Sequence, residues 1–182
     1  MSDRLRPLLD QIGSIESAKG YDYEFGNKHI PLSEMTIGEV LEHQKRRRKE
    51  GARSSAVGRY QFIWKTLNDI AERNPKDFPK DALFTPELQD KAATVLLKRR
   101  GLDDYMSGKM DTRTFGKNLA KEWASLPDPD TGSSYYDKDG LNKSLVDVDT
   151  ILNTAEMMRR PEEEVAAIRQ EQINQMRNQI PR

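Results

Sequence analysis

Helix punctuation is what most constrains the fold of this chain. Thr36-Ile37-Gly38-Glu39 is a capping box, in which the threonine hydroxyl and the glutamate carboxylate each satisfy a free amide of a first helical turn. It predicts a helix over 37–50 with Gly51 as its stop. Thr85-Pro86-Glu87 is a second start, with an N-cap, a proline at the first helical position and an acid in the first turn, running to Gly101. Asp111 or Thr112 opens another, whose face Phe115, Leu119, Trp123 and Leu126 repeats at helical steps until Pro127. Leu5, Leu8, Leu9, Ile12 and Ile15 recur at steps of three and four, which makes residues 3–18 an amphipathic helix.

Between these segments little room is left for strands. Residues 19–31 contain Gly20, Gly26 and Pro31, with Tyr21, Tyr23, Phe25 and Ile30 in partial alternation, and read as a turn and a short strand pair. Gly58-Arg59-Tyr60-Gln61-Phe62-Ile63-Trp64 reads as the start of a helix running to about Arg73. Residues 74–83, with Pro75 and Pro79, read as loop, and 102–106 as a short helix. The expected class is mainly α (α+β), with a small β-hairpin region.

The chain has 182 residues, enough for one domain of about 1–146 and a helical C-terminal extension over 147–182. Charged residues make up 33% and hydrophobic residues 35%, which calls for a large solvated surface. Within the extension, Pro161 interrupts the helical pattern, and Val165, Ile168, Gln172, Met176 and Ile180 form a stripe too thin to stabilise a lone helix in water. The extension therefore packs back on the domain, pairs with another helix, or frays.

Thirty basic and thirty acidic residues leave a formal net charge of +0, which removes the long-range field of a general nucleic-acid binder. The run Lys45 to Lys49 reads first as a solvated helix face complementing the helix dipole, and secondarily as a contact for an anionic cell-wall polymer. Without cysteine, and with only His29 and His43, no metal or cofactor is expected. Asp137-Lys138-Asp139-Gly140 hints at calcium, but a calcium-loop alignment places Tyr135 and Val146 at ligand positions, and the reading is rejected. Met1 to Pro7 carries no apolar signal core, and no stretch is long enough to span a bilayer.

Glu16 is the candidate catalytic group. Placed at the edge of the first helix's apolar stripe, its carboxyl loses hydration in the charged form, and the raised pKa suits a general acid near neutral pH. Taken alone the stretch fits a surface glutamate bordering the core better, and other segments reverse that order. Tyr21, Tyr23, Tyr60 and Trp123 have the flat apolar faces and polar tips on which sugar rings stack. Each on its own is more often a core or rim aromatic, Trp123 above all.

Glu16-Ser17, Gly20-Tyr21-Asp22, Gly58-Arg59-Tyr60-Gln61 and Trp123-Ala124-Ser125-Leu126-Pro127 resemble, in the same order, the landmarks of the lambda-phage endolysin family. Thr85-Pro86 with Leu88-Gln89-Asp90 resembles another of its segments, and the likeness spans about residues 8–143. The resemblance implies a lysozyme-like fold and a lytic transglycosylase that cleaves bacterial peptidoglycan, with Glu16 catalytic and Ser17, Tyr21, Asp22, Tyr60 and Gln61 binding substrate. Two departures stand out: a short spacing from Glu16 to Tyr21, and an apparent insertion over Met35 to Glu50. A hydrolytic lysozyme, with Asp22 or Glu24 as second carboxylate, is the runner-up, and a virion structural or adaptor protein the non-enzymatic alternative. Such an enzyme waits in the host cytoplasm for a membrane lesion before reaching the wall, or travels in the virion docked to a phage structural protein through 147–182; neither nucleic acid nor membrane is an expected partner.

Overall fold

The structure, a computed structural model, describes residues 3–136 and 143–178; Asp137 to Gly140 and Ile180 lie outside the described residues. A 3-10 turn, Asp3–Leu5, leads into α1, Arg6–Glu16, which buries Leu8, Leu9 and Ile12. A two-stranded antiparallel hairpin follows, β1 Tyr23–Glu24 and β2 Lys28–His29, with Tyr23 paired to His29 and Glu24 to Lys28. Six further helices complete the body: α2 Ile37–Lys49, α3 Trp64–Arg73, α4 Pro86–Arg99, α5 Leu102–Met106, α6 Thr112–Glu122 and α7 Val148–Arg159. Beyond them lies α8, Glu162–Asn178.

The caps read in the sequence form as expected. Thr36 accepts from the Glu39 amide while the Glu39 carboxylate accepts from the Thr36 amide at 2.8 Å, and Thr85 and Asp111 cap α4 and α6. Two boundaries differ. The α6 helix stops at Glu122, because Trp123 takes an extended conformation and its ring turns into the core. Residues 58–61 do not begin α3; they form the turn of a tight hairpin in which Val57 and Phe62 exchange backbone hydrogen bonds of 3.1 and 2.9 Å. Gly58 (φ 78°) and Gln61 (φ 49°) both occupy the left-handed region, which no helix start accommodates. The first free amide of α3, that of Trp64, is instead capped by the Ser55 hydroxyl from nine residues upstream at 3.0 Å.

One core runs through the body, drawing Ile37, Val40 and Leu41 from α2, Leu67 and Ile70 from α3, Leu96 and Leu97 from α4, and Phe115 and Leu119 from α6. Helix α7 belongs to it: Ile151, Ala155 and Met158 are buried, and α7 packs on α1 and α6. Gly116 of α6 makes that approach close, since a Cβ there would collide with Leu152 and Pro129. By contrast residues 163–178 of α8 are exposed apart from half-buried Val165 and Ile168.

Candidate active site

Glu16 is the last residue of α1, half-buried, where the apolar face of that helix meets the segment following α6. The Ser125 hydroxyl donates to its Oε1. Loss of hydration pushes the Glu16 carboxyl up from the ordinary 4.5 to about 7, and the hydrogen bonds from the Ser125 hydroxyl and backbone amide, which favour the charged form, only partly oppose it. A carboxyl held near neutrality can donate a proton and take one back.

Gln89 and Asp90 of α4 hold the neighbouring segments in register, and both are buried. Gln89 donates to the carbonyls of Phe84 (3.1 Å) and Tyr21 (3.3 Å) and accepts from the Arg59 amide at 3.0 Å. This joins the Tyr21 loop to the Gly58 turn, and Gly58 leaves room for the Gln89 oxygen where a Cβ would collide with it. Asp90 accepts from the Tyr21 hydroxyl at 2.9 Å, the Tyr60 hydroxyl at 2.5 Å and the Arg6 guanidinium at 2.8 Å. Burial, aided by the Asp90 charge, raises both tyrosine pKa values, so the phenols stay protonated donors.

The five expected binding residues occupy different settings. Ser17 is buried and its hydroxyl donates to the Gly20 carbonyl, closing the turn after Glu16. Tyr21 is half-buried with the Arg59 guanidinium over its ring at 5.0 Å. Tyr60 is 1% exposed, so its ring has no face for a sugar; its burial serves the Asp90 network. Trp123 is likewise a core residue, its indole donating to the Tyr60 carbonyl. Gln61 is half-buried, its side-chain amide bonded to the Gly58 carbonyl at 2.9 Å, and that of Tyr23 at 3.4 Å. Asp22 accepts from the amide and hydroxyl of Ser33 at 2.7 and 2.9 Å, which fixes the 3-10 turn Leu32–Glu34. Glu24 is buried against His43 at 2.7 Å and Arg47 at 3.3 Å. Ser125, Gln89 and Asp90 entered the sequence reading only as parts of longer strings. Their signal was the motif, since polar residues inside apolar stripes carry no periodicity of their own. Among the described residues, no three His, Asp or Glu side chains group as a metal site.

A family model described as Endolysin matches residues 10–148. The chain belongs to the Endolysin family. This endolysin is a phage peptidoglycan-degrading enzyme of the lysozyme type. Two solved structures of the lysozyme of bacteriophage lambda, one of them complexed with a chitohexasaccharide, are similar to it, with TM-scores of 0.54 and 0.53. Each is 18% identical, and each comparison covers 87% of this chain and 95% of the lambda protein; the likeness shows the lysozyme fold. No protein of curated function matches the sequence significantly. Among the described residues, no helix is long and apolar enough to cross a membrane.

Proposed function

We propose that this endolysin is a lytic transglycosylase that cleaves the β-1,4 bond between N-acetylmuramic acid and N-acetylglucosamine, with Glu16 as its acid and base. The observation that carries the reading is the half-buried Glu16 carboxyl with a pKa near 7, partnered by a neutral serine. Protonated Glu16 donates to the glycosidic oxygen as the C1–O bond breaks and an oxocarbenium-like centre develops. The resulting carboxylate removes the proton from the muramic acid C6 hydroxyl while that oxygen bonds to C1. A 1,6-anhydro ring forms, no water is consumed, and Glu16 ends protonated as it began.

A hydrolase needs a second carboxylate free to attack C1 or to activate water. Both candidates are committed elsewhere, Asp22 to the Ser33 amide and hydroxyl and Glu24 to His43 and Arg47. That favours the single-carboxylate mechanism over hydrolysis. The chitohexasaccharide carried by the lambda lysozyme structure agrees with an N-acetylhexosamine polymer as substrate. Among substrate contacts we assign Gln61 and Tyr21, which are half-buried, ahead of Tyr60. Mass spectrometry of digested peptidoglycan tests the chemistry: muropeptides one water lighter than hydrolysis products are expected, and reducing-end muramic acid as the main product would overturn it. The exposed α8 is the part of 147–182 suited to docking on a virion protein, and its removal should leave cleavage intact while abolishing co-purification with phage particles.

A further inference from the structure

Arg59 crosses α1 on a course that stability alone does not favour. Its side chain lies against Gly13, one turn before Glu16, where a Cβ would collide with its Cγ, Cδ and Nε. A glycine inside a helix weakens that helix relative to alanine. The Arg59 Nε is also buried, with no acceptor among the described residues, which is unfavourable for a donor. Two local penalties at one contact mark a position that serves something other than the helix.

The two ends of the residue show what that is. The Arg59 amide is held by Gln89 Oε1 at 3.0 Å, and the guanidinium donates to Asp10 at 3.1 Å while its Cζ stands 5.0 Å over the Tyr21 ring. Asp10 is exposed, so this ion pair adds little energy and acts mainly to aim the guanidinium. Asp10 also accepts from Arg6 at 3.5 Å, Arg6 donates to Asp90 at 2.8 Å, and Asp90 accepts from the Tyr21 hydroxyl at 2.9 Å. These contacts close a circuit of five side chains that holds Tyr21 by its ring and by its tip. The turn that joins Tyr21 to Glu16 is closed as well, the Gly20 amide donating to the Ser17 carbonyl and the Ser17 hydroxyl to the Gly20 carbonyl, both at 2.9 Å.

We infer that Arg59 is a positioning residue for substrate binding: lying across Gly13, it clamps the Tyr21 ring to α1, so that the ring meets the glycan at a fixed place next to Glu16. The inference rests on the assignment of Tyr21 as a substrate contact and deepens it. Arg59 touches no reacting atom, and its part is to order Tyr21 before the glycan arrives. The planar guanidinium is what the clamp requires, because it stacks on the ring through its face while donating to Asp10 through its edge; a lysine ammonium, with the same charge, cannot do both.

The test measures initial rates of peptidoglycan clearing against substrate concentration for the full chain, with thermal denaturation in parallel. Arg59→Ala and Arg59→Lys should each raise KM about fivefold to tenfold, as expected for loss of a partly desolvated cation–π contact, and leave kcat within about twofold. Gly13→Ala keeps Arg59 but displaces its side chain, and should raise KM by a similar factor with Tm within a few degrees of wild type. A purely structural contact would move Tm and leave KM alone. Tyr21→Leu should raise KM, and adding Arg59→Ala to it should raise KM no further. Wild-type KM in Arg59→Lys or Gly13→Ala, or additive losses with Tyr21→Leu, would overturn the inference; should Arg59→Ala not fold, Gly13→Ala decides. If Tyr21→Leu leaves KM unaltered, the assignment of Tyr21 fails and the inference with it. Reducing-end muramic acid as the main product overturns the single-carboxylate mechanism alone, since the clamp acts on binding.

Discussion

Replacing Glu16 by glutamine should make the protein more stable at high pH while abolishing its activity. A carboxyl raised from 4.5 to about 7 holds its proton more tightly in the folded than in the unfolded chain. That stabilisation is complete below about pH 4.5, and is lost as pH rises through about 7. Taken at face value the change is about 3.4 kcal/mol between the two limits, from 1.36 kcal/mol per pH unit. Glu16 is only half-buried, and solvent screening reduces this to about 1–2 kcal/mol. Glutamine keeps the shape and an oxygen for the Ser125 hydroxyl but never ionises. The difference in Tm, variant minus wild type, should therefore grow by about 3–6 °C between pH 4 and pH 9 for a chain of this size. Thermal denaturation by circular dichroism over that range measures it. In parallel, murein clearing by Glu16→Gln should fall by about 100-fold or more. A Tm difference that stays constant with pH, or an active variant, would refute the placement of Glu16 as a desolvated acid.

Ser125→Ala removes a donor that favours the ionised form, so the Glu16 pKa should rise further and the alkaline limb of the kcat/KM profile, where the protonated acid is lost, should move to higher pH. Asp90→Ala strands the Tyr21 and Tyr60 hydroxyls and removes one ion-pair partner of Arg6, and should cost about 3 kcal/mol in urea denaturation; a loss below 1 kcal/mol would show the network to be loose. Deleting residues 147–182 removes the buried Ile151, Ala155 and Met158 and should unfold the domain or lower its Tm sharply. Deleting 161–182 alone should leave Tm within a few degrees of wild type; the two truncations, compared by calorimetry, test which helix is structural.

Much of the helical frame was written in local signals. Thr36 with Glu39, Thr85 with Pro86, and Asp111 each determine a helix start through atoms within three residues, so sequence alone places them. The edge position of Glu16 on its apolar stripe is equally local, but that stretch by itself favours an ordinary surface glutamate; the loss of hydration that raises its pKa comes from the segment packed over it. What sequence could not supply were bonds formed across long separations. Ser55 caps Trp64 only because the 57–62 hairpin folds back, and the reading of Gly58 to Gln61 as a helix start failed for that reason. Tyr60 belongs to the core because Asp90, thirty residues on, needs its hydroxyl. Ser125 becomes the partner of Glu16 across 109 residues, and Glu24 ceases to be a free second carboxylate once α2 brings His43 and Arg47 to it. Side-chain periodicity reports which face of an element is apolar; it carries nothing about which buried polar group meets which, because that is decided by the packing of elements in three dimensions.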